Sequence, residues 1–228
     1  MERTLYLVRH GALGEPARGR FIGQTDLELS REGIRHAEAL AAWFASQPLT
    51  AIYCSDLTRT RQTAQRIAAA HRLTPRADAA LREIALGHWE NQPRKDIAAR
   101  FPEQFAARGR DIMHFRPPEG ESFADCLQRV EPCVSRILAD THGPVVVVAH
   151  AGVNRLLLSR ALGLSLPLLM EIPQDYGCMN ILRIGQDRSH AQRINFVPFG
   201  ATSGQAGYPR EAVSQNVTHE ARISRFPL

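Results

Sequence analysis

Five consecutive apolar residues, Val145–Ala149, form the sequence feature that most limits how this chain can fold. A strand with one solvated face alternates apolar and polar residues, whereas an uninterrupted apolar run of this length is typical of a strand buried on both faces of a sheet. Such strands occur where helices cover both sides of a largely parallel sheet. Thr4–Val8 and Ala51–Cys54 are two more candidates of this kind, and Met179–Ile184 is a candidate for a further strand.

Helical periodicity fills the intervals between these strands. The predicted helices run from an N-cap at Ser30 to about Phe44, from Asp56 or Thr58 to about Ala70, over Ser122–Ala139, and from Gly152–Asn154 to Leu162, where Gly163 ends the last one. Strands that alternate with helices predict an α/β fold. We expect a three-layer α/β/α sandwich with a mostly parallel central sheet.

The chain of 228 residues is long enough for one compact domain, which we place over residues 1–199. A segment at about 90–121 is expected to form a small helical cover subdomain over the site. Residues 200–228 are rich in Gly, Ser, Gln and Arg and show no apolar periodicity. We expect this C-terminal tail to be irregular or packed against a partner.

The cellular setting is predicted from what the sequence lacks. No apolar run approaches the roughly 20 residues that a membrane helix needs. Residues 1–9 do not have the basic start and apolar stretch of a signal peptide. The four cysteines (Cys54, Cys126, Cys133 and Cys178) are scattered without a C-x-x-C pair, which favours reduced, buried thiols over disulfides or a zinc site. These features predict a cytoplasmic protein with no membrane association.

The charge composition indicates the kind of ligand. The formal net charge is +5, and among the 28 cationic residues only Lys95 is a lysine. Arginine grips phosphate or carboxylate oxygens with a planar fork of donors, so an anionic small substrate is one explanation, and an arginine bias of the genome is another. Nucleic acid is not an expected partner, because no recognised binding motif accompanies the positive charge.

Basic and hydroxyl residues follow three of the predicted strands: Arg9-His10-Gly11, Ser55 to Arg59, and His150-Ala151-Gly152. The carboxyl ends of parallel strands meet at one edge of a sheet, where ligands bind. Two histidines and two arginines at that edge favour a phosphoryl group as the common partner. A neutral imidazole at His10 is a competent nucleophile, and rigid cations stabilise the charge of a transferring phosphoryl group.

Five segments resemble the histidine phosphatase superfamily, the phosphoglycerate-mutase-like fold. They are Leu7-Val8-Arg9-His10-Gly11, residues 23–33, residues 55–64, Leu81-Arg82-Glu83 with Gly87-His88-Trp89-Glu90, and Val148-Ala149-His150-Ala151-Gly152. The resemblance implies His10 as the phosphorylated nucleophile and Glu83 as the proton donor to the leaving oxygen. It also implies a phosphate pocket of Arg9, Arg59 and His150, with Gly23, Gln24 and Ala151 as further substrate contacts. No metal or other cofactor is implied.

The sequence departs from the family pattern directly after Arg-His-Gly. Many members of the family carry a small hydroxyl residue and an Asn there that contact the phosphate. This chain has Ala12-Leu13-Gly14-Glu15-Pro16 instead. We therefore expect another group to complete that part of the pocket.

The reaction class is predicted from spacing and resemblance. Only 67 positions separate Glu83 from His150, whereas mutases of the family carry a long substrate-binding insertion there, so we expect a phosphomonoester hydrolase. The compact length of the chain and its Gly-Gln-Thr-Asp segment resemble those of phosphatases that act on α-ribazole 5′-phosphate. The alternatives are a broad sugar-phosphate or nucleotide phosphatase, a phosphoglycerate mutase, and a catalytically silent anion-binding member of the family. A homodimer is one assembly that this chain could form. A P-loop is excluded because no G-x-x-x-x-G-K-[ST] occurs.

Overall fold

The computed structural model describes residues 2–164, 166–185 and 189–198. Within these residues the strands are β1 (Arg3–Arg9), β2 (Ala51–Cys54), β3 (Arg76–Ala77), β4 (Val145–Ala149), β5 (Met179–Ile184) and β6 (Ser189–Phe196). The α-helices are α1 (Arg31–Phe44), α2 (Thr58–Ala69), α3 (Arg94–Arg100), α4 (Pro102–Arg110), α5 (Phe123–Asp140) and α6 (Ala151–Leu162). The four strands predicted from apolar runs are all present, whereas β3 and β6 had no clear sequence signal. The tail at 200–228 lies outside the described residues.

The strands form one sheet in the order β3-β2-β4-β1-β5-β6. Neighbouring pairs from β3 to β1 are parallel, and β5 and β6 add an antiparallel edge. Strand β4 lies between β2 and β1, and all five of its residues are buried. The mostly parallel sheet expected from the apolar run is therefore confirmed.

Side chains alternate between the two faces of the sheet and build two separate cores. In β1, Leu5 and Leu7 contact the cluster that contains α5 and α6, whereas Tyr6 and Val8 contact the cluster that contains α1 and α2. In β4 the residues divide in the same way, with Val146 and Val148 on the α1 and α2 side. Helices thus cover both faces, which gives the expected three-layer α/β/α sandwich.

Local signals explain most helix ends. The Ser30 hydroxyl accepts the Gly33 N–H at the start of α1, and Ser122 forms a capping box with Asp125 at the start of α5. Gly163 ends α6 with φ 60°, a left-handed conformation that favours glycine. Helix α2 begins at Thr58, and its N-terminal cap comes from the distant Asp26 carboxylate, which accepts the Thr58 N–H at 2.8 Å and its hydroxyl at 2.7 Å.

Helices α3 and α4 lie within the segment expected to form the cover. Trp89 is buried and packs between the rings of Phe21 and Phe115, with centroids 5.3 and 5.4 Å away. Ile97 of α3 joins the same core as α5 and α6. This segment is therefore attached to the sandwich through a shared apolar cluster, and its role as a cover stays a prediction. Among the described residues, no helix combines the length and the apolar character that crossing a bilayer requires.

Candidate active site

The register of the central strands brings the two histidines together. Arg9 at the end of β1 lies opposite Ala149 at the end of β4, and the His10 N–H donates to the Ala149 carbonyl at 3.2 Å. His10 and His150 therefore leave neighbouring strands at the same edge. Their rings lie 5.2 Å apart, nearly edge to face.

His10 is held as a neutral imidazole. Its Nδ1 lies 2.8 Å from the Gly11 carbonyl oxygen, which only accepts hydrogen bonds, so Nδ1 carries the proton and Nε2 the lone pair. Burial, followed by the charges of Arg59 and Arg9, holds the pKa of His10 well below its usual range. The Gly11 N–H donates to the Thr63 hydroxyl at 3.3 Å, which fixes the turn that carries the histidine.

His150 has the opposite tautomer. Arg59 Nε, a donor, lies 3.4 Å from His150 Nδ1, so the proton is on Nε2, which lies 2.8 Å from the Ser55 hydroxyl. Ser55 is itself fixed by a hydrogen bond to the Thr60 hydroxyl at 2.8 Å. Burial and then the charge of Arg59 lower the pKa of His150 well below its usual range. Ser55 stood inside a matched segment, but only the structure assigns it this contact.

Arg59 is almost fully buried, at 1% exposure, on the first turn of α2. It donates to the Thr25 carbonyl at 2.8 Å and to the Gly23 carbonyl at 2.6 Å. Burial lowers its pKa, an effect that nearby acids led by Glu83 oppose. This guanidinium therefore ties the Gly23–Thr25 loop to the histidine pair.

Glu83 reaches the N-terminus of α6. Its Oε2 accepts the Gly152 N–H at 3.0 Å, and its Oε1 accepts the Ile84 N–H at 3.1 Å. A Cβ at position 152 would lie 2.4 Å from Glu83 Oε1, so any residue larger than glycine requires this carboxylate to move. Ala151 is the first residue of α6, and its N–H is among those for which the helix offers no acceptor. The structure thus gathers His10, His150, Arg59 and Glu83 at one edge of the sheet.

Gly23 and Gln24 lie beside these residues, but their hydrogen-bond donors serve the protein itself. Glu90 accepts the N–H groups of Gly23, Gln24 and Thr25 at 3.2, 2.7 and 3.0 Å, and the Thr25 hydroxyl at 2.6 Å. Burial raises the pKa of Glu90, but these hydrogen bonds outweigh it, so the net shift is downward. The Gln24 side-chain amide donates to the Glu83 carbonyl at 3.1 Å. Direct substrate contact by Gly23, Gln24 or Ala151 stays a prediction.

The loop that carries Glu83 is held by Arg129, which sequence reasoning missed. Arg129 donates to the carbonyls of Ala80, Arg82 and Glu83 at 2.9, 2.7 and 2.9 Å. It also forms a two-point ion pair with Glu121, with both contacts at 2.8 Å. Arg129 lies in α5, whose sequence is an ordinary amphipathic helix pattern. No local signal therefore distinguishes Arg129 from a surface arginine.

The arrangement brings together a neutral imidazole, guanidinium cations and a carboxyl group. The lone pair of His10 Nε2 is available for bond formation, and the guanidinium groups of Arg9 and Arg59 carry donors that suit phosphoryl oxygens. Both ring nitrogens of His150 are already engaged, by Arg59 and Ser55. Among the described residues, no group of three or more His, Cys, Asp or Glu side chains is placed to hold a metal ion. The four cysteines are free and buried as expected, and burial raises the pKa of Cys54 to about 11.

Comparison with known proteins identifies the family. The family model of the histidine phosphatase superfamily (branch 1) matches residues 5–197. An adenosylcobalamin/alpha-ribazole phosphatase of Escherichia coli (strain K12) is 29% identical over 192 residues, which are 84% of this chain and 95% of that protein. A 6-phosphofructo-2-kinase/fructose-2,6-bisphosphatase 1 of Mus musculus is 34% identical over 212 residues, 85% of this chain but only 43% of that protein.

A solved structure gives the same result. The mycobacterial glucosyl-3-phosphoglycerate phosphatase superposes with a TM-score of 0.78 at 28% identity, covering 86% of this chain and 99% of that one. This chain belongs to the histidine phosphatase superfamily, branch 1, and is a phosphatase.

Proposed function

We propose that this chain is a metal-independent phosphomonoester hydrolase that acts through a phosphohistidine at His10. The observation that carries the proposal is the buried His10–His150 pair, in which His10 Nδ1 is bonded to Gly11, Nε2 keeps its lone pair, and the charges of Arg59 and Arg9 act on the ring. The cations at this site stabilise the oxygens of the transferring phosphoryl group, a task that metal ions perform in other phosphoryl-transfer enzymes. A small phosphorylated metabolite is the proposed substrate.

The proposed reaction has two displacements. In the first, His10 Nε2 forms a bond to phosphorus, the bond from phosphorus to the ester oxygen breaks, and the protonated Glu83 carboxyl group gives its proton to the leaving alkoxide. In the second, the Glu83 carboxylate takes a proton from water, the water oxygen attacks phosphorus, and the bond to His10 breaks to release orthophosphate. The fixed position of Glu83 at Gly152 supports both roles.

The test is hydrolysis of p-nitrophenyl phosphate in EDTA by the wild type, His10→Ala and Glu83→Gln. We expect activity that survives chelation, disappears in His10→Ala and falls at least 100-fold in Glu83→Gln. A leaving group as acidic as p-nitrophenol needs little protonation, so the Glu83→Gln defect is expected to be larger on an alkyl phosphate. Activity that persists in His10→Ala would contradict the phosphohistidine route.

The first substrate candidate is α-ribazole 5′-phosphate, supported by the similarity to the Escherichia coli phosphatase over 95% of its length. Its leaving group is a neutral nucleoside. A cytoplasmic location belongs to this proposal, and the four free, buried thiols support it.

A second candidate is a phosphorylated sugar acid or bisphosphate, and a feature of the cover favours it. The Arg94 and Arg108 guanidinium groups both lie over the Phe21 ring, 5.6 and 5.5 Å from its centroid. Within the described part of the chain, neither forms an ion pair with a carboxylate. Burial, with a contribution from Arg94, lowers the pKa of Arg108 to about 10. Two unneutralised cations suit a second anionic group, as in glucosyl-3-phosphoglycerate or fructose 2,6-bisphosphate.

The two candidates are separated by a substrate panel with Arg108→Met. If a second anion binds at the cover, kcat/KM for glucosyl-3-phosphoglycerate exceeds that for α-ribazole 5′-phosphate, and Arg108→Met lowers only the former, by about tenfold. Equal effects of Arg108→Met on both substrates would remove the support for the second candidate. An unchanged p-nitrophenyl phosphate rate is the control for folding.

A further inference from the structure

The loop that precedes β5 is hydrogen-bonded to Arg9 and His10, where β1 ends. The Gly177 N–H donates to the His10 carbonyl at 3.0 Å, and the Arg9 N–H donates to the Cys178 carbonyl at 2.9 Å. The Arg9 side chain also donates to the Gln174 carbonyl. Three main-chain groups of this loop, residues 174–178, thus fix the backbone and one side-chain donor at Arg9-His10.

The loop is itself anchored by a buried amide network. Gln174 Nε2 donates to Asn180 Oδ1 at 2.9 Å, and Gln174 Oε1 accepts from the amides of Asn154 and Asn180, both at 3.1 Å. Asn180 also donates to the Leu7 carbonyl of β1 at 3.1 Å. Because all three amides are buried, the position of the loop relative to β1 is strongly constrained.

Tyr176 belongs to this loop and lies against both Arg9 and His10. The Arg9 guanidinium carbon lies 3.7 Å from the centroid of the Tyr176 ring, and the His10 ring lies 5.6 Å from it. This is closer than the 6 Å limit of a cation–π contact. Tyr176 also packs against the small cluster that contains Leu13 and Leu29.

Arg9 keeps a donor that the protein does not use. Arg9 Nε is buried and has no hydrogen-bond acceptor. A buried polar group without a partner is costly unless a ligand satisfies it. The segment Ala12–Pro16 contributes no side-chain hydroxyl or amide, so the donors of the pocket have to come from residues such as Arg9.

We propose that Tyr176 is a positioning residue for phosphoryl transfer: its ring fixes the plane of the Arg9 guanidinium so that the Nε edge faces the phosphoryl oxygens. The role is a consequence of stacking, and the phenolic hydroxyl is not required. It rests on the proposed function, since it assumes that the ligand between Arg9 and His10 is a phosphoryl group. The ring thereby compensates for the contacts that Ala12–Pro16 lacks.

The test compares variants that keep or remove the ring. Tyr176→Phe keeps it and is expected to stay within twofold of the wild type in kcat/KM for p-nitrophenyl phosphate and in orthophosphate affinity. Tyr176→Leu removes it and is expected to lower kcat/KM and orthophosphate affinity, each by about tenfold. Tyr176→Met is a second ring-free variant of similar length, in case the leucine variant does not fold, and the same losses are expected.

Phe101→Leu is the matched control, because the Arg100 guanidinium lies 5.2 Å from the exposed Phe101 ring, where α3 meets α4. This variant loses a similar contact that does not involve residues 174–178, and it is expected to keep both activity and phosphate affinity. Orthophosphate binding is measured by titration calorimetry, so it needs no turnover. An inactive wild type would overturn the proposed function, whereas the affinities of the variants would still decide the role of Tyr176. Unchanged affinity in the ring-free variants, or an equal loss in Tyr176→Phe, would overturn that role.

Discussion

Replacing Arg129 by methionine is expected to displace Glu83, the proposed proton donor, without altering the proposed phosphate pocket. The guanidinium makes five contacts, three with carbonyls of the Glu83 loop and two with the Glu121 carboxylate, all between 2.7 and 2.9 Å. Glu121 in turn accepts the Ala85 N–H at 2.9 Å. Removing Arg129 therefore takes away three hydrogen bonds to the loop and leaves Glu121, which holds Ala85, without its cation.

The size of the effect follows from burial. The side chains of Arg129 and Glu121 are 22% and 24% exposed, so water reaches the pair only in part. Removing one member of a buried ion pair costs about 3–5 kcal/mol, and partial access to water places this pair near the lower end. A loss of about 3 kcal/mol lowers the melting temperature by roughly 6–12 °C in a domain of this size. A shift of Glu83 by about 1 Å would lower kcat by roughly 100-fold.

The assay is urea unfolding combined with kcat on an alkyl phosphate. Arg160→Met is the matched control, because it removes the half-exposed pair between Arg160 and Glu131 and is expected to cost less than about 1 kcal/mol. Adding Glu121→Gln to Arg129→Met is expected to restore part of the stability, since the unpaired charge is removed. If Arg129→Met costs no more than Arg160→Met, or leaves kcat unchanged, the assignment of Arg129 as the anchor of Glu83 is wrong.

Three further outcomes are expected. Ser55→Ala removes the acceptor of His150 Nε2. It should lower kcat about tenfold or more and cost about 1–2 kcal/mol of stability. Steady-state kinetics and urea unfolding would check this, and an unchanged kcat would contradict it. Gly152→Ala places a Cβ against the Glu83 carboxylate and should lower kcat on alkyl phosphates more than on p-nitrophenyl phosphate; equal losses would argue against Glu83 as the acid. The pKa values of His10 and His150 are lowered by burial and nearby cations. The stability that the two neutral histidines contribute is therefore complete above about pH 6.5 and is lost as the pH falls below that value. The loss is up to about 1.4 kcal/mol per pH unit for each histidine. Urea unfolding from pH 7.5 to 5 should show this slope. A His10→Gln/His150→Gln variant should show a smaller one, which His36 sustains because burial also lowers its pKa. An equal slope in both proteins would refute the cause.

The site could be predicted where the chemistry lies at strand ends. Arg9 ends β1, and His10 and His150 directly follow β1 and β4, whose apolar character is visible locally. Parallel strands bring their carboxyl ends to one edge. Glu83 had no such signal, because a Glu after an Arg in a loop is ordinarily a solvated residue, and only the resemblance to the family singled it out. Its contact with the N-terminus of α6 spans 69 positions of sequence, which no local pattern encodes.

The sequence by itself determined the apolar strands, the capped helices, the α/β class and the family, because burial on two faces, helix capping and a short motif are properties of neighbouring residues. The tertiary structure alone decided which residues hold the reactive groups. The ring of Tyr176 on Arg9, the Arg129 guanidinium under the Glu83 loop and the Glu90 carboxylate under the Gly23 loop are contacts between segments far apart in the chain. Such contacts depend on the packing of the whole fold, because the residue type in the sequence is the same whether its side chain faces water or a buried partner.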